Sequence, residues 1–319
     1  MATQESVLPL DRADAELFER QPNIIRRTPR NLYRFARRKP LGAFGAVLVA
    51  MLLFMAVFGA GITVPIVGLH IPSFAPYHYN EYDLGKHKLE SPSASHIMGT
   101  DQMGRDVFSR LLYGARISFS IGLGVFGISA VLSTALTLVS GYYVTSVDLV
   151  LQRIVEIFHV LPELIILISL FAVYGATPLT LVLTLGILRG FQTSRVLRSL
   201  VIGVRGMPYI EATKSLGASD RRILYRHVLP NVFYLIVVSA TAAVSGAIQA
   251  EAGLAIIGFG LDPTYPSWGV MLNNSREFLR VAPHLAVFPA LFLAMTIFGF
   301  RLLGDALRDV LDPRLRGSR

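Results

Sequence analysis

Residues 211–231 read EATKSLGASDRRILYRHVLPN, a polar and basic segment set between long apolar runs. Glu211–Leu216 has the composition of a short helix, and Gly217 suits the left-handed residue that closes one. Ser219 is placed as the N-cap of a second short helix, with Asp220 in its first turn facing the positive end of the helix dipole. Pro230 fits the first turn of the apolar helix that follows. The pattern predicts two short helices joined stiffly at a glycine, lying at the membrane surface and leading into a spanning helix. Such a unit passes a push from a docked partner into the bilayer, which a floppy loop cannot. The plainer alternative is an ordinary basic cytoplasmic loop.

Outward from this insert the chain is made for lipid. Of 319 residues, 53% are hydrophobic and 16% charged, with a mean hydropathy of +0.53. Soluble domains run nearer a quarter charged, so an integral membrane protein is expected. A spanning helix needs roughly 20 mainly apolar residues, because its backbone must satisfy itself where water is absent. Six candidates meet that need: 41–64, 116–144, 148–174, 177–200, 229–257 and 284–304. The fourth is interrupted by Arg189, Arg195 and Arg198. The expected organisation is a basic tail (1–40, partly helical near Ala13–Glu19), a first span (41–64), an outer loop (65–114), a five-helix core (115–305) and a tail (306–319).

The net charge of +9 is a topology signal rather than a sign of nucleic-acid binding. Residues 20–39 hold eight Arg or Lys and no acid, eight more lie from Arg189 to Arg226, and Arg308, Arg314, Arg316 and Arg319 follow in the tail. With six spans and a cytoplasmic N-terminus all three clusters fall on the cytoplasmic side, as the positive-inside rule requires, which expects the C-terminus there too. Anionic lipid adds to the attraction. The long basic lead before the first span predicts an uncleaved anchor.

Several chemistries are disfavoured. There is no cysteine, hence no thiol or disulfide. A phosphate-binding loop needs GxxxxGK[ST], and the one Gly-Lys pair, Gly85-Lys86, is followed by His87. The chain itself therefore binds no ATP, and no cofactor or metal is expected in it. Gly122-Leu-Gly124-Val-Phe-Gly127 fits GxGxxG but lacks a preceding strand, so these glycines read as helix-packing positions. His70, His78, His87 and His96 crowd the outer loop at spacings that match no standard metal pattern and read as loop decoration. His96–Ser118 reads as a turn at Gly99, Thr100 and Asp101 feeding a helix from about Arg105; in 258–283, Pro263 and Pro266 forbid a continuous helix.

Ionisable groups at membrane depth are costly and mark sites. Glu156, His159 and Glu163 recur at spacings of 3 and 4 on one face of the third span, near Arg153, with Pro162 expected to kink the helix. The stripe reads either as a lining of a path for a charged peptide or cation, or as a buried network at a helix contact. Glu251, late in the fifth span, reads as an outer-half contact and a further path candidate.

Glu211-Ala212, Gly217 and His227-x-Leu229-Pro230-Asn231 resemble the "EAA" loop of permease subunits in ATP-binding-cassette importers, with Thr213 where a second Ala is usual. Gly99–Ser118, Glu251–Leu272 and Leu302–Leu315 are similar to the dipeptide/oligopeptide/nickel branch, C-type subunit; Glu156 stands where that branch more often has Asp, and residues 1–35 match nothing in it. The resemblance implies an all-α, six-span type I importer fold. It implies that Glu211, Ala212, Gly217, Ala218 and Ser219 form the coupling helix seated on an ATPase. It implies as partners a homologous B-type permease, two ATPases that bind the ATP and Mg, and an extracytoplasmic binding protein. A peptide importer subunit, not itself an enzyme, is the expected function. The alternatives are a nickel-chelate importer of the same family, a self-sufficient secondary transporter, which would show inverted repeats, and a membrane-embedded enzyme.

Overall fold

The computed structural model describes residues 37, 39–59, 61–64, 69–81, 87–144 and 146–311. The expected helix near Ala13–Glu19, most of the basic N-terminal cluster, and Arg314, Arg316 and Arg319 lie outside them. Contacts divide the chain at Pro40–Leu41, and the second unit carries the architecture below.

The fold is mostly helical. Helix α1 (Pro40–Phe54) ends in a π turn at Met55–Gly59. A small antiparallel hairpin follows, β1 (Ile62–Val64) on β2 (Leu69–Ile71), with Thr63 opposite His70; it is an exception to the all-helical expectation. Helix α2 (Val107–Tyr142) runs unbroken for 36 residues, beginning nine residues before the expected span. Its start is set by Asp106, whose Oδ2 accepts from Ser109 N–H at 2.7 Å, satisfying one of the free amides of the first turn.

The third span departs most from expectation. It is two helices, α3 (Ser146–Val160) and α4 (Glu163–Tyr174), meeting at 85°. Pro162 has no N–H to give and adopts an extended ψ of 121°, so it breaks the helix rather than kinking it. Helix α5 (Pro178–Arg205) starts on a Thr177 cap. Helix α6 (Pro208–Ser215) is short. Helix α7 (Asp220–Ile223) passes through a π turn (Leu224–Val228) into α8 (Leu229–Ile256) without a gap, so the second short helix expected after Gly217 is the first turns of one long helix. Pro230 follows the π turn, whose wider bore accommodates the missing donor and the ring. Helices α9 (Trp268–Ser275) and α10 (His284–Leu311) complete the chain.

Four described helices are long and apolar enough to cross a membrane, five if α3–α4 count as one broken span. Six crossings require α5 to cross as well, with its arginines.

α2 and α5 are locked together. A Cβ at Gly124 would meet Val182 at 2.6 Å and one at Gly186 would meet Ile128 at 2.7 Å. Gly122 faces Val244 of α8 just as closely, whereas nothing lies within 4 Å of Gly127; two of the three GxGxxG glycines are packing positions.

The ends of α2 mark the two ends of the bundle. At its start Trp268, fully buried, donates Nε1–H to the Leu111 carbonyl at 3.0 Å and pins α9 there. At its finish Tyr142 Oη donates to Asp220 Oδ1 at 2.7 Å. The 87–106 and 258–283 segments thus sit at one end, and the Gly206–Ser219 turn at the other. Trp268→Phe keeps most of the ring volume but strands a buried carbonyl lone pair. A loss of about 1 kcal/mol is expected, read as a lower denaturation midpoint of the detergent-solubilised chain.

Candidate functional site

The 205–231 insert is built from the inside out. Ile210, Ile223 and Val228 are buried against Leu138, Val201 and Val204, which fastens both short helices to the ends of α2 and α5. Each such side chain contributes about 1.5–3 kcal/mol of burial. Met207 precedes Pro208 in the first turn of α6, the place where proline's fixed φ suits a helix.

The exit from α6 is closed by the backbone. Gly217 has φ +80°, its N–H reaches the Lys214 carbonyl at 3.0 Å, and the Ala218 N–H reaches Thr213 O at 3.3 Å. This pair of bonds is the left-handed helix stop expected at Gly217. Ser219 occupies the N-cap position with extended backbone, but its side chain makes no cap bond; the tie to Tyr142 fixes the following Asp220 instead. Beyond it, Asn231 Nδ2 donates to the His227 carbonyl at 2.7 Å and to Tyr209 Oη at 3.2 Å, bridging α6 to the start of α8.

What faces outward is equally defined. Glu211, Ala212, Gly217 and Ser219 are exposed and Ala218 is half-buried. No described side chain pairs with the Glu211 carboxylate. Leu216, at the tip, is 88% exposed, and Met207 and Tyr225 of the same insert are exposed as well. Leu216 is thus a large apolar side chain held out next to a left-handed turn, in an insert whose Lys214, Arg221 and Arg222 are also exposed. Leu216 was not singled out by sequence, since a leucine within a short helix reads as a buried anchor.

The membrane-depth charges are arranged differently from the expected stripe. Glu156 is exposed and pairs with Arg153 at 2.8 Å; His159 is exposed on the same helix. Glu163 lies beyond the 85° break and pairs with Arg189 of α5 at 2.8 Å, so the three do not share one face. Glu251 is buried and accepts a short hydrogen bond from Ser267 Oγ, tying α8 to α9.

Two arginines of α5, Arg189 and Arg198, have partners that the sequence left unassigned. Asp148 of α3 is buried and takes both Nε–H (2.8 Å) and Nη2–H from Arg198, with Ser140 Oγ donating to the same carboxylate at 2.9 Å. Two of the three arginines that weaken the fourth span are thereby neutralised across to α3 and α4. That is how a charged helix is carried at depth.

Arg189 also lines an open cleft of about 840 Å3 with Ser245, Gly246, Gln249, Gly253 and Arg301. Arg301 donates to Gln249 Oε1 at 3.1 Å, while Nε of Arg189 is buried with no hydrogen-bond partner among the described residues. A second cleft of about 290 Å3 continues past Arg189 along Gln192, Thr193 and Ser239. Neither is lined by Glu156, His159, Glu163 or Glu251. The small residues on one face of α8 open this groove, and Arg301 gives it positive charge, that of Arg189 being offset by Glu163.

Residues 133–317 match the family described as binding-protein-dependent transport system inner membrane component. Over 297 residues the chain is 35% identical to the glutathione transport system permease protein GsiD of Escherichia coli O6:K15:H31, spanning 93% of this chain and 94% of that one. The protein of the same description from Pectobacterium atrosepticum is 35% identical over 291 residues, 91% of this chain and 93% of that one.

Proposed function

Because the chain belongs to the binding-protein-dependent transport system inner membrane component family, we propose that it lines half of a translocation path for short carboxylate-bearing peptides. ATPases seated on the Glu211–Ser219 turn drive it. The turn faces the cytoplasm, as do both termini. A homologous permease closes the open side of the Arg189–Arg301 cleft, and an extracytoplasmic binding protein delivers substrate to the opposite end of the bundle. ATP and Mg belong to the ATPases.

One observation carries this reading. The exposed turn is rigid at Gly217 and leads, without a break, through α7 into α8, the wall of the cleft. Closure of the ATPases displaces α6, and α8 moves with it, so the cleft changes its exposure from one side of the membrane to the other. Glu211, Ala212 and Ala218 supply the flat, small contact surface, and Leu216 the projecting anchor.

The lining of the cleft supports this substrate class. Arg301, with the Gln249 amide beside it, suits a carboxylate, and among the described residues no His, Asp or Glu lines either cleft, which speaks against a bare cation. The similar proteins named for glutathione transport are consistent with such a cargo.

The test is uptake by the reconstituted complex in proteoliposomes. ATP-dependent entry of a tripeptide is expected, and none by this chain alone; entry without ATPases overturns the proposal. Within that assay Arg301→Ala removes one charge-assisted hydrogen bond at a partly hydrated site. Initial uptake at low substrate should fall about tenfold, the equivalent of roughly 1.4 kcal/mol, with ATPase coupling at saturating substrate preserved.

A further inference from the structure

The histidines of the 72–106 segment are not evenly scattered decoration. His87, Glu90 and His96 each place one ligand-type atom within 4.8 Å of the others. The two histidines are nine positions apart, but the chain doubles back between them. Leu89 N–H bonds to Asp101 O at 3.1 Å, Thr100 N–H to Glu90 O at 3.1 Å, and Ser93 N–H to His96 O at 2.8 Å. Thr100 Oγ1 adds a bond to the His87 carbonyl and accepts from Glu90 N–H at 2.9 Å. The backbone under all three side chains is therefore held.

We propose that His87, Glu90 and His96 form a binding site for one divalent transition-metal ion at the end of the bundle opposite the Glu211–Ser219 turn. His96 is the best oriented ligand. Its Nδ1 lies 3.0 Å from Asp106 Oδ1, while Asp106 Oδ2 caps α2. A carboxylate on Nδ1–H fixes the ring and its tautomer and leaves Nε2 to the ion, the second-shell arrangement typical of metal-bound histidine. The side chain of His96 is 11% exposed and that of Asp106 is 2% exposed, so this half of the site is rigid.

His87 and Glu90 form the mobile half. Their side chains are 44% and 34% exposed, and they pair with each other, Nδ1 to Oε1, at 2.7 Å. Donors held about 2.0–2.2 Å from one ion lie roughly 3.3 Å apart, so these two side chains need to move by no more than about 1.5 Å to close on it with His96. Both have the rotational freedom to do so, trading their mutual bond for the ion. Two imidazoles and a carboxylate select zinc, cobalt or nickel over calcium and magnesium, which prefer oxygen alone. Three protein ligands leave a coordination position for water. Once bound, the ion ties the 87–90 stretch through His96 and Asp106 to the first turn of α2.

The test uses the full chain carrying a tag without histidine, purified in detergent and stripped with a chelator. Cobalt titration followed by absorbance, and zinc titration by calorimetry, should give one ion per chain. His87→Ala and Glu90→Gln should each weaken binding at least tenfold, with His78→Ala, exposed in the same segment, binding as the parent does. Asp106→Asn retains a good N-cap but presents an amide in place of the carboxylate, and should weaken binding about 10- to 100-fold. Absence of stoichiometric binding, or affinity unchanged in both His87→Ala and Glu90→Gln, overturns the site. These two variants alter only partly buried side chains, so their folding is checked by an unchanged metal-free denaturation midpoint.

Discussion

Replacing Gly217 with proline is expected to abolish ATP-dependent uptake while the chain still inserts and folds. The residue has φ +80°, which proline's ring at about −65° excludes. The variant also lacks the N–H that bonds to Lys214 O. A Cβ here meets nothing within 4 Å, so the effect arises from the backbone and not from crowding. α6 must therefore leave its present axis while the buried contacts of Ile223 and Val228 stay in place. A graded series separates this from general damage. Asparagine tolerates the left-handed region and should retain near-parental uptake, whereas alanine carries a penalty of roughly 1–2 kcal/mol and should fall between. Uptake, ATPase activity and the amount of inserted protein are measured together. Full uptake by the proline variant would remove the turn from the coupling path.

The second large effect concerns stability. Asp148→Ala leaves Arg198 without the carboxylate that neutralises it, and breaking a buried ion pair costs about 3–5 kcal/mol. Arg198 is partly exposed, with 27% of its side chain accessible, so the lower end is expected. Asp148→Leu combined with Arg198→Met should recover most of the loss, because an apolar pair of similar volume needs no desolvation. Denaturation midpoints in one detergent, for both singles and the double, form the cycle. Equal destabilisation of the double and the sum of the singles would mean that the two side chains do not act as a pair.

These results also mark where the sequence was readable. Apolar length gave α1, α2, α8 and α10, because lipid imposes one local rule on every residue of a span. The Gly217 stop was equally visible, since left-handed backbone restricts residue choice on the spot. The break at Pro162 was located but underestimated. A proline announces a lost hydrogen bond, while the angle that results depends on the neighbours that α3 and α4 pack against. Partners were the hidden part. Arg189 and Arg198 stood out as costly, yet Glu163 and Asp148 lie 26 and 50 residues away from them, and only tertiary structure brings them together. The same holds for His87 and His96, whose contact depends on a fold-back that side-chain spacing does not encode. Leu216 shows another limit: nothing in its identity announces that it is exposed at the tip of the turn.

One dimension of the molecule has its own consequence. At 36 residues α2 measures roughly 54 Å, far beyond the thickness of hydrocarbon it crosses. It is clasped along its middle by α5, so it behaves as a lever arm, and each degree of tilt offsets its extremities by about 1 Å relative to one another. Spectroscopic labels beyond either extremity should consequently report displacements of opposite sense that rise and fall in step.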